Sequence, residues 1–357
     1  MSGVLLSGYY GFDNLGDEAV LAATVAALRR QRPGLEIRVL SASPDATSRA
    51  YGVTGVPRAE ARAVVRALRA SDLFLSGGGS LFQDATSWRS PWYYLGVLAA
   101  ARLWCRRTAV YAQGFEPARH TSVREGIRGV LNGVDLVTVR DAASAQVLAQ
   151  AGVRRPRTVV SADPSFLLDP DPTPAVERER ARWGSGALFG LAVRPWGDGR
   201  VLDTVAAAAR DAGGRLGARW VLLPMQRPRD VEAADAVAAR LDGATVVRGP
   251  FGPREMLALA GGLDLLVGMR LHALIFAAAQ GVPIVPVAYD RKVAALAQEL
   301  GDEAPLPVEG LDARALAARI DAAAADRPAR RDRLRRVAAA LRERAALSPA
   351  LAVELLS

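Results

Sequence analysis

Only two histidines occur among the 357 residues, and one of them, His272, stands two residues after Arg270 in the run "LDLLVGMRLHALIFAAAQGVPIVPVAYD". The pair falls where an apolar, strand-like stretch gives way to an Ala-rich, helix-like one, so both residues are expected at a helix N-terminus. Such an end carries partial positive charge, draws anions, and lowers the pKa of a nearby histidine unless an anion compensates. Held between an arginine and a bound anionic substrate, His272 would act as a proton donor. The other reading of the same residues is a histidine that caps the helix or fills a pocket edge. A second cation follows a strand in "LAVRPWGD", where Pro195 stops regular sheet and leaves Arg194 as a cleft-facing anion clamp or a surface side chain.

Two more turns are built to let a ligand approach backbone. In "FLSGGGSLFQD" the consecutive Gly77, Gly78 and Gly79 follow a strand, and Ser80 is placed to cap what comes next. Each glycine costs on the order of 1 kcal/mol of backbone entropy relative to alanine in regular structure, so close approach of a ligand is the preferred reading over a tight packing corner. In "GYYGFDNLGDE", Gly8, Gly11 and Gly16 bracket Asp13 and Asn14 ahead of a helix. This loop suits a sugar hydroxyl or a phosphate at exposed amides, although Asp13, Asp17 and Glu18 argue against a bare phosphate cradle.

These four turns need strands and helices to hold them. "SGVLLSGYY", "EIRVLSA", "DLFLSGGGSLF", "TAVYAQGFEP", "DLVTVRD" and "RTVVSADPSFLL" are apolar through their length and alternate with helical segments, the pattern of a parallel sheet covered on both faces. A proline-rich, charged stretch, "LDPDPTPAVERERARWGSG", interrupts the pattern. It restarts with "LFGLAVRPW", "ARWVLLPMQ", "ATVVRG", "LDLLVGMR" and "VPIVPVAYD", again alternating with helices. The expected fold class is therefore α/β, with two Rossmann-like domains, residues 1–172 and 173–357, facing across a cleft. The carboxyl ends of the strands would line that cleft, and helices from about residue 311 onward would cross back to the first domain.

Composition narrows the chemistry. The net charge is +9, yet Lys292 is the sole lysine, so a Schiff-base scheme has a single candidate. The arginines are scattered along amphipathic helices without the aromatic interleaving of a nucleic-acid binder, and no nucleic-acid partner is expected. The basic run "RRDRLRRVAAALRERAAL" reads as a solvated helix face, with membrane-surface attachment or docking onto another domain as the other readings. Cys105 is alone and is taken as packing, and His120 and His272 are too few for a histidine metal site, so no metal is expected. No P-loop motif is present. With no apolar run of membrane-spanning length and no basic leader at its start, the chain is expected in the cytoplasm.

In order along the chain, "GYYGFDNLGDEAVL", "LFLSGGGSLFQD", "VTVRDAASAQVL", "SADPSFLL", "AVRPW" and "GMRLHALIFAAAQGVPIVPVAYD" together resemble the polysaccharide pyruvyltransferase family, most closely its CsaB type. The resemblance implies a GT-B-like fold and transfer of a pyruvyl group from phosphoenolpyruvate to a sugar, with phosphate released and no cofactor required. For the CsaB type it further implies N-acetylmannosamine in a lipid-linked cell-wall polysaccharide precursor as acceptor, at the inner face of the plasma membrane. The ketal formed there anchors S-layer homology domains. Carried over residue by residue, it makes His272 the catalytic acid and Arg194, Arg270 and the backbone at Leu271 the phosphoenolpyruvate clamp. Arg140 and Gly77, Gly78 and Gly79 also fall on family motif positions, and Asn14 lies in the matching first loop. A glycosyltransferase using a nucleotide sugar, and a catalytically idle sugar- or nucleotide-binding regulator, are the alternatives.

Overall fold

A computed structural model of the chain describes residues 3–84 and 87–357; Ser2, with which the expected first strand begins, lies outside them. The chain forms two compact units, Met1–Leu167 with Leu341–Ser357, and Leu168–Ala340.

The first unit holds seven strands: β1 Gly3–Ser7, β2 Glu36–Ser41, β3 Thr54–Pro57, β4 Leu73–Gly77, β5 Arg107–Gln113, β6 Leu136–Val139 and β7 Arg157–Val160. Between them run α1 Leu15–Gln31, α2 Pro44–Tyr51, α3 Ala61–Arg69, α4 Arg89–Trp104, α5 Thr121–Leu131 and α6 Ala142–Gln150. The sheet is parallel in the order β3-β2-β1-β4-β5-β6-β7. Successive side chains alternate faces, and both faces are buried. Leu5, Phe74 and Val110 pack with Leu68, Leu98 and Ile127, while Val4, Leu6 and Leu75 pack with Leu21, Leu28 and Leu351.

The second unit opens with α7 Pro174–Ala181 and holds β8 Ala187–Ala192, β9 Ala218–Leu222, β10 Thr245–Val246, β11 Leu265–Gly268, β12 Ile284–Ala288 and β13 Leu306–Pro307. Its other helices are α8 Arg200–Leu216, α9 Arg229–Ala238, α10 Pro253–Ala260, α11 Leu271–Ala279, α12 Arg291–Glu299 and α13 Ala313–Ala325. The chain then ends in α14 Arg327–Ala345 and α15 Leu347–Glu354, the last of which packs on the first unit's core beside α1. This sheet is also parallel, in the order β10-β9-β8-β11-β12-β13.

Both strand orders reverse direction once, between β1 and β4 and between β8 and β11, and ligands of open α/β sheets sit outside the carboxyl ends of the strands at that reversal. The four turns singled out by sequence flank these two points. Where the expected strands ran on into the turns, the sheet stops sooner: β8 ends at Ala192, β11 at Gly268 and β4 at Gly77. Pro195 cannot donate to a ladder, and Gly78 and Gly79 take φ of +89° and +66°, left-handed values that leave the strand. The proline-rich interruption contains a helix, α7. Thr173 caps it through the Val176 amide, and Pro174 sits in the first turn, where its missing N–H costs nothing.

Candidate active site

In the second unit, Ala192 pairs with Gly268, and the Met269 amide donates to the Ala192 carbonyl at 2.9 Å. Arg194 and Arg270 each lie two residues beyond that pair, so the backbones carrying them leave adjacent strand ends. Gly268 lets α11 start directly against the strand, because a Cβ there would come within 2.9 Å of the Leu274 side chain. Arg270 is the N-cap of α11 without a side-chain cap bond, and Leu271 and His272 open the first turn.

The two arginines are in different electrostatic situations. Arg270 is clamped by Asp230, a fully buried carboxylate from the start of α9: Nε donates to one oxygen at 2.8 Å and Nη2 to the other. Nη2 also donates to Gln226 Oε1 at 3.2 Å. Asp230 in turn accepts from the backbone amides of Met225 and Gln226 at 3.1 and 3.0 Å. The Arg270 charge thus has a fixed counter-ion, and its bonds to Asp230 and Gln226 run through Nε and Nη2, which leaves Nη1. Arg194 has none of this. Its guanidinium lies over the Tyr289 ring at 4.3 Å and near Trp196 at 5.8 Å. Among the described residues no carboxylate pairs with it, and its Nε is buried without a hydrogen-bond partner. A buried donor left unmade costs about 1–3 kcal/mol and calls for a partner. Tyr289 and Asp290 follow β12, the next strand in the sheet, and Asp290 caps α12 and pairs with Lys292 at 3.3 Å.

In the first unit the structure brings the remaining sequence candidates together. Gly79 faces α1, since a Cβ on it would stand 2.9 Å from the Asp17 carboxylate. Asn14 is the N-cap of that helix and accepts from the Gly16 amide at 3.1 Å, so the side chain has a local structural task. The Gly114 amide donates to the Gly79 carbonyl at 3.0 Å. Arg140 packs against Gly114 so closely that a Cβ there would meet its guanidinium, and its Nη2 reaches Ser80 Oγ at 3.5 Å. Arg140 is buried with two carboxylates, Asp141 at 3.4 Å and Asp163 at 3.9 Å. Like Arg270, it arrives already compensated and fixes the shape of the loop around it.

Sequence reasoning passed over the other histidine. His120, at the N-cap of α5, points Nδ1 at Asp84 Oδ2, 2.9 Å away, with the imidazole largely exposed and the carboxylate buried. Burial alone would raise the Asp84 pKa, but the amides of Arg119 and His120 and the imidazole all donate to it, and the net effect is a lowered pKa. A buried, ionised carboxylate orienting an exposed imidazole is the arrangement a general base needs. The available signal was Asp84 at the end of "SGGGSLFQD", beside a chain with almost no histidine. Arg58 was missed as well. It donates to the Gly8 carbonyl at 3.2 Å and lies against Phe12, Tyr93 and Tyr94, tying the first loop to α4. Among the described residues no group of three or more His, Cys, Asp or Glu side chains is placed to hold a metal ion.

Two parallel α/β units of Rossmann strand order, each with polar turns at its point of reversal, define a GT-B-like fold. Solved structures with this fold cover the whole chain. Anabaena Alr3699/HepE in complex with UDP-glucose is 16% identical over 100% of this chain and 99% of its own, with a TM-score of 0.66. UDP-GlcNAc 2-epimerase from Neisseria meningitidis is 10% identical over 100% and 99%, at 0.65. A glycosyltransferase from Rickettsia africae is 12% identical over 100% and 99%, at 0.62. The family model of polysaccharide pyruvyl transferase matches residues 14–291, and the chain belongs to that family. A search of curated proteins found no match.

Proposed function

We propose that this pyruvyltransferase takes its pyruvyl group from phosphoenolpyruvate and joins it as a ketal to two hydroxyls of one sugar, releasing inorganic phosphate. The observation that carries the reading is Arg194, a cation with a buried, unpartnered Nε at the carboxyl end of β8 and no carboxylate to neutralise it. Phosphoenolpyruvate supplies two anionic groups, phosphate and carboxylate, and a planar guanidinium suits either. Arg194 binds one of them. Arg270, oriented by Asp230, offers Nη1 to the other, and the Leu271 amide at the start of α11 adds a donor.

The chemistry then divides between proton donation and proton removal. His272, in the first turn of α11, protonates the methylene carbon of the enol. The adjacent carbon becomes electrophilic, one sugar hydroxyl adds to it, phosphate leaves, and the second hydroxyl closes the ketal. The carbon gains one proton and the two hydroxyls lose two, one replacing the proton that His272 gave and the other leaving on the released hydrogen phosphate. The scheme requires no metal or organic cofactor. Following the CsaB-type resemblance, the acceptor is an N-acetylmannosamine unit of a lipid-linked wall precursor, handled at the inner face of the plasma membrane.

Purified protein, phosphoenolpyruvate and a lipid-linked disaccharide acceptor containing N-acetylmannosamine should give stoichiometric phosphate and a product heavier by one ketal-linked pyruvyl group. Nucleotide release from a sugar nucleotide, with no phosphate from phosphoenolpyruvate, would replace this reading with glycosyl transfer.

A further inference from the structure

Helix α4 shows solvent an apolar stripe that the proposed chemistry does not use. Trp88, Trp92 and Leu103 are 59%, 41% and 78% exposed. With Gly96 and Ala99 between them they recur at intervals of four, four, three and four residues, the spacing that keeps side chains on one face of a helix. Beside the stripe, α3 and α4 enclose an open groove of ≈ 490 Å³ lined by Ala61, Val65, Gly96 and Ala100. A Cβ added at Gly96 would meet nothing within 4 Å.

Both helices of this face carry charge of one sign. Between Glu60 and Asp72, and again between Asp84 and Glu116, the chain contains no acidic residue. In those intervals stand Arg62, Arg66 and Arg69 on α3, and Arg89, Arg102 and Arg106 on or beside α4, all exposed. Arg69 lies over the Trp104 ring at 5.5 Å, and among the described residues no carboxylate pairs with any of the six. Tryptophan and leucine on one face, flanked by arginines without counter-ions, match a bilayer boundary, where indole rings settle at headgroup depth and cations meet anionic lipid. Two copies of this chain meeting through the same face about a twofold axis would set arginine against arginine. Among the described residues no helix is long and apolar enough to cross a membrane.

We infer that the α3–α4 face of the first unit docks on the surface of an anionic phospholipid bilayer. The inference stands apart from the identity of the transferred group, and it gives the lipid-linked acceptor of the proposed function a place to arrive. Helices α3 and α4 start at the carboxyl ends of β3 and β4, and Arg58 links α4 to the Gly8 loop of the candidate site.

Cosedimentation at low salt with phosphatidylcholine vesicles, with and without phosphatidylglycerol, tests it without any substrate present. Wild type should pellet with the anionic vesicles only. Trp88→Ala with Trp92→Ala, and separately Arg62→Glu with Arg66→Glu, should each weaken binding by about tenfold or more. Arg336→Glu on α14 should leave it unchanged, and all variants should turn over a soluble acceptor analogue like wild type. Equal binding to neutral vesicles, loss of binding only in Arg336→Glu, or a wild-type dimer that the tryptophan variant converts to monomer would each overturn the inference. Vesicle binding without pyruvyl transfer would leave it intact and remove the proposed function instead.

Discussion

Replacing Arg194 by methionine separates a binding role from a structural one, because the two predict opposite balances. In the free protein the substitution keeps an unbranched apolar stem against Tyr289 and Trp196. It loses a cation–π contact of about 0.5–2 kcal/mol. It also removes a buried Nε with no partner, which relieves about 1–3 kcal/mol. The net lies between a loss of about 1 kcal/mol and a gain of about 2.5 kcal/mol, so the melting temperature should fall by no more than about 4 °C and is as ready to rise. With phosphoenolpyruvate bound, the same change deletes a charge-assisted contact in a partly buried setting, a loss of about 2–5 kcal/mol. In rate terms that is about 30-fold to a few thousand-fold in kcat/KM, and it should appear largely as a raised KM for phosphoenolpyruvate. Thermal unfolding and initial rates of phosphate release, measured on one preparation, read both sides. A variant destabilised by more than about 2 kcal/mol, with an unchanged KM, would show that Arg194 is there to pack against Tyr289, and the clamp would be lost from the reasoning.

Asp230→Ala should behave in the reverse sense: it strands the Arg270 guanidinium and two backbone amides, and should cost about 3–5 kcal/mol in a denaturant titration. His272→Ala should lower kcat for pyruvyl transfer by about 10²- to 10⁴-fold at saturating phosphoenolpyruvate, and a loss within tenfold would remove it as the acid. The lowered Asp84 pKa means that its contribution to stability is present above the ordinary carboxylate range and is lost as pH falls through the folded value. Urea unfolding from pH 7 to pH 3 should therefore show an acid-side decline that is shallower in Asp84→Asn. Cys105, whose thiol is pushed up to about 12 by burial and by the nearby Asp72 charge, should react with iodoacetamide at pH 8 far more slowly in the folded protein than in urea.

The two sheets were legible because their strands are buried on both faces and read as unbroken apolar runs. Elements that violate that pattern were not. Strand β3, "TGVP", buries only Val56 and carries a glycine and a proline, so nothing in its composition marks a strand; its place comes from pairing with β2. Helix α4 has apolar residues on its solvent side as well as its core side, which erases the periodicity that reveals an amphipathic helix. Helix α7 was hidden by prolines that turn out to lead into it and open its first turn. Within the site, residue type and position after a strand were enough to single out Arg194 and Arg270, whereas Arg140 came only from the family resemblance. What each arginine meets was not readable, since Asp230 is 40 residues from Arg270 in sequence and Asp84 is 36 from His120.

That difference in partners carries the functional argument. The three arginines singled out from the sequence stand at strand ends, and on charge alone any of them could receive an anion. Arg140 shares its burial with Asp141 and Asp163, and Arg270 is held bidentately by Asp230. A fixed carboxylate at hydrogen-bond distance offsets most of the attraction such a group has for a further anion, and converts the side chain into a rigid, correctly aimed donor. Arg194 has aromatic rings where the others have acids. Rings hold a guanidinium in place without neutralising it, which leaves the Arg194 charge available to an anionic ligand. In the proposed reading a ligand with two anionic groups needs one cation that attracts and one donor that orients, and Arg194 and Arg270 would divide those two tasks between neighbouring strand ends of one sheet.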